Sequence, residues 1–290
     1  MFHGAIVAIV TPFRNGKVDG PALKKLVEFQ IAGGTDGIVP CGTTGESPTL
    51  SYEEHERVID LVVAGAAGRV PVIAGTGSNN TKEAILLTRY AKKAGADGAL
   101  VITPYYNKPT QEGLYRHFRA VAEAADIPII LYNVPSRTGV NMTAQTVARL
   151  AGVPNIVGVK EASGNLNQVS EILRSVPKTF CVLSGDDGLF FPMLALGAKG
   201  VISVVSNVAP RAMADLYDSF VMGEFSRARE IHFHLWPLFH ALFIETNPIP
   251  VKTALAMMKR IRDEIRLPLC PMADANRKVL AKVISDLKLS

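Results

Sequence analysis

Cysteine is scarce in this sequence: three in 290 residues, Cys41, Cys181 and Cys270, odd in number and far apart. That spacing argues against a disulfide framework and a Cys-x-x-Cys metal knuckle, and it fits a reducing compartment. No stretch reaches the ~18 uninterrupted apolar residues of a membrane helix. The apolar run from Ala5 to Val10 has no basic segment before it and breaks at Thr11-Pro12, so it does not read as a signal peptide and a cytoplasmic protein is expected. Familiar nucleotide and hydrolase signatures are missing too. Gly75-Thr-Gly77 lacks the third glycine of a dinucleotide fingerprint, and there is neither a Walker A sequence nor a Gly-x-Ser-x-Gly elbow. Lys and Arg outnumber Asp and Glu by 31 to 26 without clustering: Lys24-Lys25, Lys92-Lys93 and Lys259 to Arg262 fall on predicted helix faces, so neither nucleic acid nor a membrane is an expected partner. His232, His234 and His240 crowd around the lone Trp236, but positions i and i+2 of a helix do not face each other, and no metal site is expected there.

Hydrophobic residues, by contrast, make up 48% of the chain, enough for a large core. Eight short apolar runs rich in Val and Ile recur over the first 205 residues, starting at Ala5, Gly37, Pro71, Ala99, Pro128, Ile156, Phe180 and Gly200. They are continuous rather than alternating, as parallel strands covered on both faces require, and each precedes a segment of helical period, 10 to 15 residues long. Helix starts are marked by Ser51 with Glu54 and by Thr81. Glycines at 34, 95 and 197 stand where helices should close. Eight βα units without a linker predict an α/β fold, a (β/α)8 TIM barrel over residues 1–223. From 224 to 290 the strand signals stop, and three helical stretches predict a C-terminal helical extension.

In such a barrel the working groups stand at the C-terminal strand ends. Those positions offer Thr43 and Thr44, Tyr105 and Tyr106, Tyr132, Lys160, Gly185 and Asp186. Lys160 shares a face with Gly158, whose missing side chain would leave lumen space. An amine in an apolar lumen is more easily held neutral and nucleophilic, which suits Schiff-base chemistry; a strand-end lysine reaching water or pairing with Glu161 is the plainer alternative. Tyr132 is a proton shuttle or an ordinary buried tyrosine. Thr43 and Thr44, between glycines, form a tight turn or a carboxylate cradle, and Arg137 is a carboxylate fork or a surface arginine. Cys41 reads as a buried small residue rather than a nucleophile.

Taken together, GTTGE from Gly42, TPYYNKP from Thr103, YNVPSRTG from Tyr132, GVKEASGNL from Gly158, SGDD from Ser184 and NPIPVK from Asn247 closely resemble the dihydrodipicolinate synthase (4-hydroxy-tetrahydrodipicolinate synthase) family. The resemblance spans essentially the whole chain and implies a member of the pyruvate-dependent class I aldolase and lyase superfamily.

The resemblance implies a cofactor-independent lyase of lysine and diaminopimelate biosynthesis, with pyruvate and L-aspartate 4-semialdehyde as substrates. It implies Lys160 as the Schiff-base lysine and Tyr132 as the proton shuttle, linked through Thr43 to Tyr106 of a neighbouring subunit. Thr44 then holds the pyruvate carboxylate, Arg137 receives that of the semialdehyde, and Gly185, Asp186 and Ile202 line the pocket. A homotetramer built as a dimer of dimers follows, with an allosteric lysine site at Ser47, Pro48, Tyr52, His55, Asn79, Glu83 and Tyr105. Pro48 and Tyr52 depart there from a small residue and a histidine. A sister pyruvate aldolase such as N-acetylneuraminate lyase would keep Lys160 and Tyr132. Its polyhydroxylated substrate, however, calls for hydroxyl-binding groups rather than the Thr43-Thr44 pair and one arginine fork. A catalytically silent binding protein on the same barrel would not need the lysine and tyrosine set.

Overall fold

Residues with branched β-carbons pack well on pleated surfaces, and each of the eight expected runs forms a short strand. The computed structural model describes residues 2–289. Its strands are β1 (Gly4–Ala8), β2 (Phe13–Arg14), β3 (Lys17–Val18), β4 (Gly37–Val39), β5 (Ile73–Gly75), β6 (Gly98–Ile102), β7 (Ile129–Asn133), β8 (Ile156–Glu161), β9 (Cys181–Ser184) and β10 (Gly200–Ser203). Eight belong to one sheet in the order β4-β1-β10-β9-β8-β7-β6-β5, the strand set of the (β/α)8 class. The hairpin of β2 and β3 was not expected. Its signal is Asn15-Gly16, both with positive φ (53° and 76°), the pair that two-residue hairpin turns favour.

Six crossover helices have the expected length. After β7 and β9, however, the helices Ala144–Leu150 and Phe190–Leu196 have only seven residues. The chain between strand and helix is used there for a single turn, Pro135–Thr138, and for a 3-10 turn, Asp187–Leu189. Ser51 and Glu54 form the expected capping box, and the left-handed glycines 34, 95 and 197 close their helices. Thr81 does not cap: the side chain of Asn80 accepts from the Lys82 N–H instead. Past residue 224 the helices are Phe225–Ala241, Ile249–Met257 and Asp274–Asp286. No helix among the described residues is long and apolar enough to cross a membrane.

The chain divides into two compact units. Pro71–Ile202 carries β5 to β9, and its core gathers Val101, Leu114, Phe118, Ile129, Leu131, Val159 and Val182. The other unit joins Gly4–Val70 to the chain from Ser203 onward. In it Asn207 donates to Ala8 O and accepts from the Val10 N–H, which satisfies backbone groups at the end of β1.

His117, buried on the helix Gln111–Ala124, lies edge-on to Phe118, with its Nδ1 3.0 Å from Thr81 Oγ1 and no partner at Nε2. Burial pushes its pKa down to about 4. A depressed imidazole pKa makes the unfolded chain bind more protons between about pH 6.5 and 4, so stability is full above that window and falls as pH drops through it. The expected loss is about 3 kcal/mol. Urea titrations across that range read it, and His117→Gln should flatten the dependence.

Candidate active site

Parallel pairing of β7 with β8 sets Tyr132 opposite Lys160 and Asn133 opposite Glu161. Because successive strand residues point to opposite faces, Tyr132 and Lys160 share one face and Asn133 and Glu161 the other. Both members of the first pair are buried, and Lys160 Nζ sits 4.3 Å from the centroid of the Tyr132 ring. A lysine ammonium over an aromatic face is attracted by the ring quadrupole.

The space around the lysine comes from a different glycine than expected. A Cβ at Gly158 would lie 2.5 Å from Cys181 O and 2.8 Å from its Cβ, so this glycine serves close packing against β9 and leaves no lumen gap. Gly185 supplies the room: a Cβ there would stand 3.0 Å from Lys160 Cε and 2.6 Å from Ala162 Cβ. Nor does Glu161 pair with Lys160. Its carboxylate accepts from the Ser163 N–H (2.7 Å), Asn133 Nδ2 (3.0 Å) and Gln168 Nε2 (3.2 Å).

Loops after the strands carry the other expected groups of this unit. Tyr105 and Tyr106 follow β6; Tyr106, with a left-handed φ of 69°, is 90% exposed and so is not packed against Tyr132 or Lys160 of its own chain. Arg137 is exposed in the turn Pro135–Thr138. Asp186 is exposed as well, its carboxylate accepting from the Gly188 N–H, while Ile202 is buried in β10. Asn79 and Glu83 stand near the start of the helix Thr81–Lys93, where Glu83 accepts from Ser78 Oγ (2.7 Å) and Asn80 Nδ2 (3.3 Å).

In the other unit Thr43 and Thr44 belong to a folded turn. The N–H groups of Gly45 and Ser47 reach Gly42 O, and that of Glu46 reaches Thr43 O. Cys41 and Glu46 flank it with positive φ (55° and 54°), the sparsely populated conformation that costs non-glycine residues free energy and recurs at functional sites. Burial drives the Cys41 thiol pKa up, which removes it as a nucleophile. Sequence reasoning missed what fixes this turn. Thr44 Oγ1 accepts from Asn247 Nδ2 (3.0 Å), and Glu46, itself buried, pairs with the buried Lys252 (2.5 Å) and accepts from the Arg266 N–H (3.1 Å). Asn247 and Lys252 belong to the NPIPVK run. Arg266 also forks onto Glu54 with two bonds of 2.6 Å and, like Lys252, lies over the Phe13 ring. Burial lowers the Lys252 pKa, and the Glu46 charge works against that shift. Of the remaining expected positions, Ser47 is half-buried, Pro48 and Tyr52 are exposed, and His55 is buried on the helix Tyr52–Ala66.

The dihydrodipicolinate synthetase family model matches residues 1–287. The chain belongs to this family. A 4-hydroxy-tetrahydrodipicolinate synthase of Geotalea daltonii is 61% identical over 289 residues, a coverage of 100% for each chain. The crystal structure of dihydrodipicolinate synthase from Aquifex aeolicus is 56% identical, covers 99% of each chain and superposes with a TM-score of 0.98. A lysine-bound family structure from Cyanidioschyzon merolae is 43% identical, covering 100% of this chain and 99% of its own, with a TM-score of 0.97. The (β/α)8 fold of the family is thus the fold of this chain.

Removing one partner of a buried ion pair strands the other charge. Lys252→Met is expected to destabilise the protein by about 3–5 kcal/mol, and adding Glu46→Gln should recover a substantial part of that. Urea denaturation of the single and double variants measures both.

Proposed function

We infer that the chain condenses pyruvate with L-aspartate 4-semialdehyde to 4-hydroxy-tetrahydrodipicolinate, as a lyase of the class I aldolase type in lysine and diaminopimelate biosynthesis. The observation that carries this reading is the buried Lys160 amine above the Tyr132 ring, in a chain of this family. Lys160 Nζ attacks the pyruvate carbonyl and water leaves as the imine forms. The iminium is an electron sink, so a methyl proton is lost to give an enamine. Its carbon bonds to the aldehyde carbon of the second substrate, whose oxygen takes up a proton and becomes the hydroxyl of the product. The substrate amine then displaces Lys160 by transimination and closes the ring. Tyr132 carries the protons, in a relay through Thr43 to Tyr106.

Thr44 and its turn receive the pyruvate carboxylate, Arg137 that of the semialdehyde, and Gly185, Asp186 and Ile202 bound the pocket. Residues 1–223 form the catalytic barrel and 224–290 its helical extension, in a cytoplasmic enzyme. Tyr106, exposed in the single chain, acts in the site of a neighbouring subunit, within a homotetramer of paired dimers. Lysine binds at Ser47, Pro48, Tyr52, His55, Asn79, Glu83 and Tyr105 as a partial inhibitor, with Glu83 facing an ammonium group.

Borohydride reduction in the presence of pyruvate is expected to add one reduced pyruvyl group per chain, on Lys160, and Lys160→Ala to abolish it. Intact and peptide mass spectrometry decide this, and labelling elsewhere overturns the mechanism. Product assays with the semialdehyde test the second substrate. For the assembly and its ligand, sedimentation at assay concentration should show a tetramer. Millimolar lysine should slow initial rates in wild type but not in Glu83→Ala.

A further inference from the structure

Directly beyond Tyr132 and Lys160, the next cross-strand pair is polar and buried: Asn133 is 0% exposed and Glu161 2%. Every contact of the Glu161 carboxylate is with an N–H donor. Oε1 takes the Ser163 N–H (2.7 Å) and Asn133 Nδ2 (3.3 Å); Oε2 takes Asn133 Nδ2 (3.0 Å) and Gln168 Nε2 (3.2 Å). Asn133 is equally satisfied, since its Oδ1 accepts from the Met142 N–H (2.9 Å) and its Nδ2 also reaches Asn141 Oδ1 (2.8 Å). Asn141 and Gln168 bond to each other and close the cluster. The backbone of the pair is pinned as well, by Ala162 N–H to Asn133 O (2.9 Å) and Gly185 N–H to Glu161 O (2.8 Å).

A buried carboxylate held by amides alone is a costly way to join two strands, and apolar residues of similar volume would do it with less desolvation. Its position explains it better than stability does. The cluster ties the ends of β7 and β8 to the start of the helix Leu166–Ser175 and to the segment at Asn141 and Met142, one residue past the reacting pair. We propose that Glu161, with Asn133 and Gln168, is a positioning residue for the Schiff-base reaction, fixing the strand ends so that the Lys160 amine and the Tyr132 ring keep their mutual geometry. This rests on the reading of Lys160 as the imine-forming residue. Loss of about an ångström of placement in such a pair is worth up to roughly 100-fold in rate.

The test uses the full-length protein and counts sites as well as rates. In wild type, pyruvate with borohydride followed by intact mass gives the fraction of chains able to form the imine. If no adduct forms, the Schiff-base reading itself fails and this proposal falls with it. Glu161→Gln keeps the shape but sets an amide NH2 against N–H donors. Its adduct should still approach one per chain at long times, while the rate of adduct formation and kcat per titrated site fall about 10- to 100-fold, with KM for pyruvate within about threefold. Gln168→Ala, at the half-exposed margin of the cluster, removes one donor and should lower kcat per site about 2- to 5-fold in the same pattern. A purely structural role would reduce the titratable fraction and leave turnover per site unchanged. That result overturns the proposal, as does a loss confined to KM, or per-site rates within twofold of wild type in both variants. If Glu161→Gln does not fold, Gln168→Ala decides by the same criteria.

Discussion

Lys160 and Tyr132 face each other because β7 and β8 pair in one parallel register, and a slip of one strand by a single residue would move all of that strand's side chains to its opposite face. If β8 slipped, Lys160 would leave the face it shares with Tyr132, and Val159 or Glu161 would take its place. Both strands are buried on both sides, so apolar patterning does little to choose between the two registers. Polar satisfaction does choose. Only the observed register gives the Glu161 carboxylate its N–H donors while setting the amine against an aromatic ring.

The same logic holds the turn that carries Thr43 and Thr44. Glu46 is buried with a left-handed backbone, which is unfavourable twice over, and it is retained by Lys252 and the Arg266 N–H. Groups far away in sequence thereby set the shape of a short polar loop. The NPIPVK run is not merely a helix start: Asn247 meets a threonine hydroxyl and Lys252 a carboxylate, both from GTTGE.

The fold was legible because continuous Val and Ile runs and glycine helix stops are local signals, and all eight strands fell where those signals lie. The β2–β3 hairpin is marked in sequence only by Asn15-Gly16, since two-residue strands carry no periodicity. Lys160 and Tyr132 stood out by strand-end position. Gly158 admits β9 and opens no lumen space, a distinction that sequence does not carry, because an absent side chain looks the same there in either role. Glu46 and Lys252 lie 206 residues apart, and no local pattern announces a pair made at that separation. Asn133 and Glu161 are visible in the sequence only as the residues after Tyr132 and Lys160, and their contacts depend on donors from loops whose path the sequence does not spell out.

The three thiols differ sharply in their surroundings. Cys41 and Cys181 are buried and their pKa values are driven up, the latter to about 12, whereas Cys270 is exposed. Because the thiolate is the reactive form, a maleimide meets a protein with one accessible thiol, in the segment between two C-terminal helices. The native chain therefore comes with a single attachment point for a fluorophore or a surface, and no cysteine has to be removed to make the labelling selective.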